Sequence, residues 1–174
     1  MKKISLLGST GSIGVNTLDV VERNPESFQV LAMSAGSNVD LFAEQVRKFK
    51  PKVASLFDTT KIATLKERVA DLDVEIIPGE EGSIAVATLP EVDVVVSGVV
   101  GSAGLVPAIE ALKAGKNLAL ANKETLVIAG ELVLKEAEKT NSQIIPIDSE
   151  HSAIFQALNG EKKERIKKII LTAS

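Results

Sequence analysis

Along most of this chain, short apolar runs alternate with longer stretches in which apolar residues recur every three or four positions, and few folds accommodate that pattern. The runs at 3–8, 28–33, 52–56, 74–77, 92–97, 117–121 and 143–147 have the length and composition of β-strands. Val94-Val95-Val96 is apolar without alternation, as in a strand covered on both faces. Between the runs, Phe42, Val46 and Phe49, then Leu105, Ile109 and Leu112, then Leu126, Ala129, Val133 and Ala137 each form one helical stripe. Pro51, Gly79, Gly115 and Gly160 stand where breakers should separate the elements. About seven strands joined by helices predict an α/β fold with a doubly wound, mostly parallel sheet. Sheets of this kind bind ligands beyond the carboxyl ends of their strands, so function is to be sought just after each strand.

Composition narrows the partners. The 174 residues carry a net charge of -3 and 25% charged residues, with no broad basic surface for nucleic acid. The run from Glu161 to Lys168 is mixed in sign and has no interleaved aromatics, which fits a solvated turn. The absence of cysteine excludes disulfides, thiolate nucleophiles and cysteine-based zinc sites. Lys2 and Lys3 precede too short an apolar segment for a signal peptide or a membrane span. A cytoplasmic protein with no membrane partner is expected.

The first strand runs into Gly8-Ser9-Thr10-Gly11-Ser12-Ile13-Gly14, and a helical stretch follows. Glycines in this spacing permit a tight turn and let backbone N–H groups approach a pyrophosphate, which a helix N-terminus also favours. Gly14 would let helix and strand pack closely, while Ser9, Thr10 and Ser12 add hydroxyl groups. Placed between a strand and a helix, the motif predicts a Rossmann-like dinucleotide site; the bland alternative is a structural turn.

The second strand leads to Ser34-Ala35-Gly36-Ser37-Asn38, with no acid before Asp40. NAD enzymes tend to place a carboxylate here to hold the ribose 2'-hydroxyl, and that group would repel a 2'-phosphate. Small and amide side chains favour NADP(H), although no arginine stands beside them.

Three later crossovers carry further candidates. Ser97 to Gly104 is a second glycine-rich loop, able to line a cofactor or simply to pack closely. Asn122-Lys123-Glu124 follows the sixth strand: Lys123 could bind anionic or hydroxyl oxygens and its neighbours cofactor hydroxyls, or Asn122 and Glu124 could serve the next helix as cap and dipole partner. Asp148-Ser149-Glu150 follows the seventh. In an extended chain residues two apart point the same way, so Asp148 and Glu150 could share a hard divalent cation such as Mg2+ or Mn2+. The alternative is an acidic cap for a short helix around Ser152 to Leu158. His151, the only histidine, reads as a packed or solvated helix residue.

GSTGSIG, NKE and DSEHSAIFQ, taken with TLDVVERNPESF, AGSN, GSAGL and the closing LTAS, resemble 1-deoxy-D-xylulose 5-phosphate reductoisomerases along essentially the whole chain. The resemblance implies conversion of 1-deoxy-D-xylulose 5-phosphate to 2-C-methyl-D-erythritol 4-phosphate in the non-mevalonate route to isoprenoid precursors, by rearrangement and hydride delivery from NADPH. It further implies that Gly8, Thr10, Gly11, Ser12 and Ile13 contact NADPH at the pyrophosphate turn. Gly36, Ser37 and Asn38 would lie at the adenosine phosphate, and Asn122 and Glu124 would touch the cofactor. Lys123, Ser149, Glu150 and Ser174 would hold the phosphorylated sugar, and Asp148 and Glu150 an ion of Mn2+, Mg2+ or Co2+. Lys123, Asp148 and Glu150 would thus form the catalytic group. The resemblance also implies a homodimer.

Ser37 departs from the family, in which many members carry lysine at this place. The family's third metal carboxylate, phosphate-binding residues, histidine and lid have no counterpart before residue 174. The expectation is therefore a nucleotide-binding domain over 1–147 and the truncated start of an α+β catalytic domain over 148–174. A strand-like segment at Ile169 to Thr172, ending at Ser174 with no closing helix, fits an inactive fragment. The competing readings are another two-domain NAD(P) dehydrogenase of the homoserine or dihydrodipicolinate type, which would not require the Asp148/Glu150 pair, and a non-catalytic NADP-binding module.

Overall fold

The computed structural model describes residues 1–170. Seven strands, β1 (Lys2–Leu7), β2 (Phe28–Ala35), β3 (Val53–Leu56), β4 (Glu75–Pro78), β5 (Val94–Ser97), β6 (Asn117–Leu120) and β7 (Ile144–Pro146), lie within two residues of the predicted runs. They form one sheet in the order β4-β3-β2-β1-β5-β6-β7. Every pairing in it is parallel, where a mostly parallel sheet was expected. The chain builds outward from β1 to one edge through β4, then returns beside β1 with β5. That reversal opens a crevice above the carboxyl ends of β1 and β5, where connections leave in opposite directions.

Helices cover both faces, so the strands are apolar on both sides. Along β5, Val94 and Val96 join one core with Leu18 and Val21 of α1 (Ser12–Arg23), Phe42 and Val46 of α2 (Val39–Phe49) and Leu65 of α3 (Ile62–Arg68). Val95 faces the opposite core with Val86 of α4 (Gly79–Thr88), Leu112 of α5 (Leu105–Lys113) and Val133 of α6 (Lys123–Thr140). The period of two along the strand thus sends consecutive valines into different cores.

Several boundaries differ from the sequence reading. The helix expected near Leu126 begins at Lys123, and the one expected near Ser152 is α7 (Ser149–Leu158). Both start early because a polar cap, Asn122 or Asp148, satisfies a free N–H of the first turn. Gly79 breaks β4 but also opens α4, a weakly amphipathic helix that apolar spacing did not reveal. Within α6, Ala129 leaves helical geometry at φ -144 and ψ 33, and the axis kinks just before Gly130. Ile169 and Ile170 lie outside any strand; Leu171, Thr172 and Ser174 lie outside the described residues.

Candidate dinucleotide cleft and carboxylate turn

At the end of β1, Gly8 takes φ +81, and a Cβ there would press on the backbone of Gly98 and Val99 at 3.0 to 3.1 Å. The N–H groups of Gly8 and Ser9 are tied to the Ser34 carbonyl at 3.0 and 2.8 Å. Helix α1 then starts after Gly11 without any side-chain cap, and its first backbone bond runs from Val15 N–H to Gly11 O at 2.9 Å. The N–H groups of Ser12 and Ile13 have no backbone acceptor and stand at the positive end of the helix dipole. A Cβ on Gly14 would collide with Gly8 O and the Ser9 backbone, so only glycine lets α1 sit this close to the turn. Ser9 does not face the cleft as expected: it is fully buried, its hydroxyl is unpartnered, and its carbonyl accepts from Gln45 Nε2 of α2 at 2.9 Å.

A cavity of about 250 Å³ lies over this turn. It is lined by Gly8, Thr10 and Gly11 from the first loop, Ser34 to Gly36 from β2, Phe57 after β3, and Gly98, Val99, Val100 and Ala103 from the second glycine-rich loop. Phe57 leaves 53% of its surface exposed, a flat apolar wall in an otherwise small-residue cleft. Gly36, Ser37 and Asn38 are exposed beside it. Asn38 caps α2 by accepting from Leu41 N–H at 3.2 Å, and Lys61 Nζ donates to the Ser37 carbonyl at 2.9 Å.

On the other side of the crevice, Asn122 is buried, and its amide bridges two elements. Its oxygen accepts from Thr125 N–H at 3.2 Å, and its nitrogen donates to Gly101 O at 2.7 Å. Asn122 thus caps α6, the alternative raised from the sequence, and by the same side chain holds the loop that lines the cleft. Lys123 opens α6 and is exposed, a cation at the positive end of a helix dipole. Local stability disfavours that placement, so it points to a role outside helix formation. Glu124, in the same first turn, suits the dipole.

Beyond β7, the premise that Asp148 and Glu150 project together from extended chain is corrected. The chain is helical from Ser149 because Asp148 is the N-cap of α7, its carboxylate accepting from His151 N–H at 3.4 Å and meeting His151 Nδ1 at 2.5 Å. Asp148 and His151 line one cavity beside β7, whereas Ser149 and Glu150 line another over α7. Ser149 Oγ donates to Glu150 Oε2 at 2.8 Å. That bond, assisted by the nearby Lys123 cation, holds the Glu150 carboxyl below its usual range despite some desolvation and the Asp148 charge. Lys123 and Glu150 therefore sense one another across the adjacent ends of β6 and β7, which pair in parallel with Leu120 opposite Pro146.

The family model described as 1-deoxy-D-xylulose 5-phosphate reductoisomerase matches residues 4–130, and the model for that enzyme's C-terminal domain matches 144–174. This chain belongs to the 1-deoxy-D-xylulose 5-phosphate reductoisomerase family. The Mentha piperita chloroplastic reductoisomerase is 54% identical over 99% of this chain and 37% of its own length; that of Lachnospira eligens is 51% identical over all of this chain and 46% of its own. The chain thus spans less than half the length of these curated relatives. Among solved structures, the Zymomonas mobilis reductoisomerase with NADPH superposes with a TM-score of 0.85 at 38% identity, covering 89% of this chain and 41% of that one. A reductoisomerase complex with NADPH, fosmidomycin and magnesium gives 0.87 at 40% identity, over 92% and 41%. A homoserine dehydrogenase from Thiobacillus denitrificans, at 0.58 and 20% identity over 91% of this chain and 32% of its own, shares the fold alone.

A dinucleotide fits what this chain presents: free N–H groups at α1, a glycine cradle and an apolar wall. A divalent metal fits in donor type only. Asp148 and Glu150 are hard oxygen donors, but Asp148 is engaged as the cap of α7 and Glu150 by the Ser149 hydroxyl, and among the described residues no group of three or more His, Asp or Glu could hold an ion. Lys61, Phe57 and Gln45 were missed by sequence reasoning. The first two lie at or just beyond the carboxyl end of β3, where the rule of looking after each strand applies, but β3 carried no glycine motif to draw attention. Gln45 sits on an otherwise apolar helix face and left no signal of its own.

Proposed function

We propose that this chain is the NADPH-binding part, with the beginning of the catalytic part, of an enzyme converting 1-deoxy-D-xylulose 5-phosphate to 2-C-methyl-D-erythritol 4-phosphate. The observation that carries the reading is the gathering of the β1–α1 turn, Lys123 and the Asp148 to Glu150 turn at one edge of a parallel sheet, in a chain matching the reductoisomerase family from residue 4 to 174. NADPH, when bound, supplies the hydride.

The residues take distinct parts. Ser12 and Ile13 N–H groups hold the diphosphate, within the turn of Gly8, Thr10 and Gly11, and the loop of Gly36, Ser37 and Asn38 receives the adenosine phosphate. Asn122 fixes the Gly101 loop against the cofactor, and Glu124 lies beside it. Lys123 and Ser149 offer donors to substrate oxygens. Glu150, whose carboxyl the Ser149 hydroxyl holds below its usual range, accepts hydrogen bonds there. Asp148 and Glu150 are the carboxylates we assign to Mg2+ or Mn2+, supported by the magnesium in the fosmidomycin complex of a relative. Ser174, outside the described residues, is assigned to the substrate phosphate. The boundary near residue 147, a homodimer and a cytoplasmic location belong to the same proposal; no helix among the described residues is long and apolar enough to cross a membrane.

Residues 1–174 alone are expected to bind NADPH without turnover. A chimera in which they replace the matching segment of the Mentha piperita reductoisomerase should oxidise NADPH when given 1-deoxy-D-xylulose 5-phosphate and Mn2+. A folded, NADPH-binding chimera that leaves this substrate untouched, or turnover by the 174-residue chain alone, would contradict the assignment.

A further inference from the structure

Positive charge at the end of β2 strengthens specificity for the 2'-phosphate, and Ser37 contributes none. The structure brings that charge from a different strand. Lys61 lies beyond β3, in the 3-10 turn Thr59–Lys61 that precedes α3. The two loops are laced together, with Phe57 N–H donating to Ala35 O and Asp58 N–H to Gly36 O, each at 2.9 Å. Lys61 Nζ crosses to the Ser37 carbonyl at 2.9 Å with 45% of its side chain still exposed. The ammonium therefore stands at the Gly36-Ser37-Asn38 loop and retains donors for a further acceptor.

We propose that Lys61 is the residue that selects NADPH over NADH in this chain, by pairing with the 2'-phosphate of the adenosine ribose. This deepens the nucleotide-binding reading above and rests on it.

The neighbouring acid is compatible with that role. Asp58 Oδ1 accepts from Thr60 N–H at 3.1 Å and Thr60 Oγ1 at 2.6 Å, and its other oxygen lies 3.8 Å from Lys61 Nζ. The carboxylate is held by the turn, and the lysine balances its charge. Without Lys61, Asp58 would stand uncompensated beside an incoming dianion, so loss of the ammonium removes an attraction and exposes a repulsion together. Asp40, in the first turn of α2, is paired with Arg68 at 2.5 Å.

The test compares Lys61→Gln and Lys61→Arg with the parent 174-residue chain, titrating NADPH, NADH, adenosine 2',5'-bisphosphate and 5'-ADP by calorimetry. Glutamine can still donate to the Ser37 carbonyl, so it separates charge from tether. Lys61→Gln should weaken NADPH and the bisphosphate by about 10- to 100-fold, the worth of a hydrogen bond to a charged group, while NADH and 5'-ADP change less than about 3-fold, and Lys61→Arg should keep the preference. An equal loss for phosphorylated and unphosphorylated nucleotides would make Lys61 a loop tether and overturn the proposal, as would a Lys61→Gln chain that keeps the parent's full preference for NADPH over NADH. A parent chain that binds neither nucleotide, or prefers NADH, would overturn the nucleotide reading and this inference with it.

Discussion

Gly14 separates the two meanings a glycine can have in this turn. Its place is required because Gly8 O and the Ser9 backbone occupy the volume of any Cβ. Gly14→Ala should cost about 1 to 3 kcal/mol in urea unfolding and weaken NADPH at least 10-fold, since the helix that presents Ser12 and Ile13 must retreat. Asp148 separates two roles in the same way. Asparagine caps a helix as well as aspartate does, so Asp148→Asn should leave thermal stability nearly unchanged while lowering Mn2+ affinity, read by electron paramagnetic resonance. Unchanged Mn2+ binding would leave Asp148 as a cap only. Both residues stood out in the sequence, through glycine spacing and through an acid after a strand. What spacing could not supply was the local conformation: extended-chain geometry was applied to Asp148 and Glu150, whereas capping had already turned the chain into α7.

At the scale of elements, the legible features were those with a strong period or an unambiguous breaker. All seven strands were visible as short apolar runs, because helices cover both faces of the sheet, and the stripes on α2 and α5 because burial on one face of a helix leaves a spacing of three or four. Helices α3 and α4 were not, α3 being only seven residues long and α4 being apolar on more than one side. Helix α4 carries a constraint invisible in sequence: a Cβ on Gly82 would strike Ile77 O and Ser55 Oγ, so the helix can lie against β3 and β4 only with glycine there. Gly82→Ala should therefore lower stability by about 1 to 3 kcal/mol yet leave nucleotide affinity unchanged, read by calorimetry on the folded fraction. Together with Gly14→Ala this distinguishes a glycine that packs elements from one that also builds the cleft.

For the whole molecule, several acids are held in ionised form by neighbouring donors. Asp58, Asp71, Glu91, Glu136 and Glu150 all sit below their usual ranges, chiefly through bonds from Thr60, Arg47, Lys52, Lys139 and Ser149 respectively. A carboxyl lowered on folding contributes stability that is fully present above its unfolded value, about 4, and disappears as pH falls through the lower folded value. The urea midpoint should be level from about pH 8 to pH 5 and decline below about pH 4; a decline beginning near pH 6 would contradict these assignments.

The sheet order also explains why function was more legible than contacts. Parallel connectivity puts every strand's carboxyl end on one edge, so motifs far apart in sequence share a crevice without any contact being foreseen. Which side chains meet there, such as Lys61 with Ser37, depends on loops whose paths no periodicity encodes. A crystal structure of the 174-residue chain with NADPH tests that shared crevice most directly. The diphosphate should lie within hydrogen-bond distance of the Ser12 and Ile13 N–H groups, with the nicotinamide extending past the Gly101 loop toward Lys123. A nucleotide bound away from the β1–α1 turn, or running with its nicotinamide toward Ser37, would contradict the account.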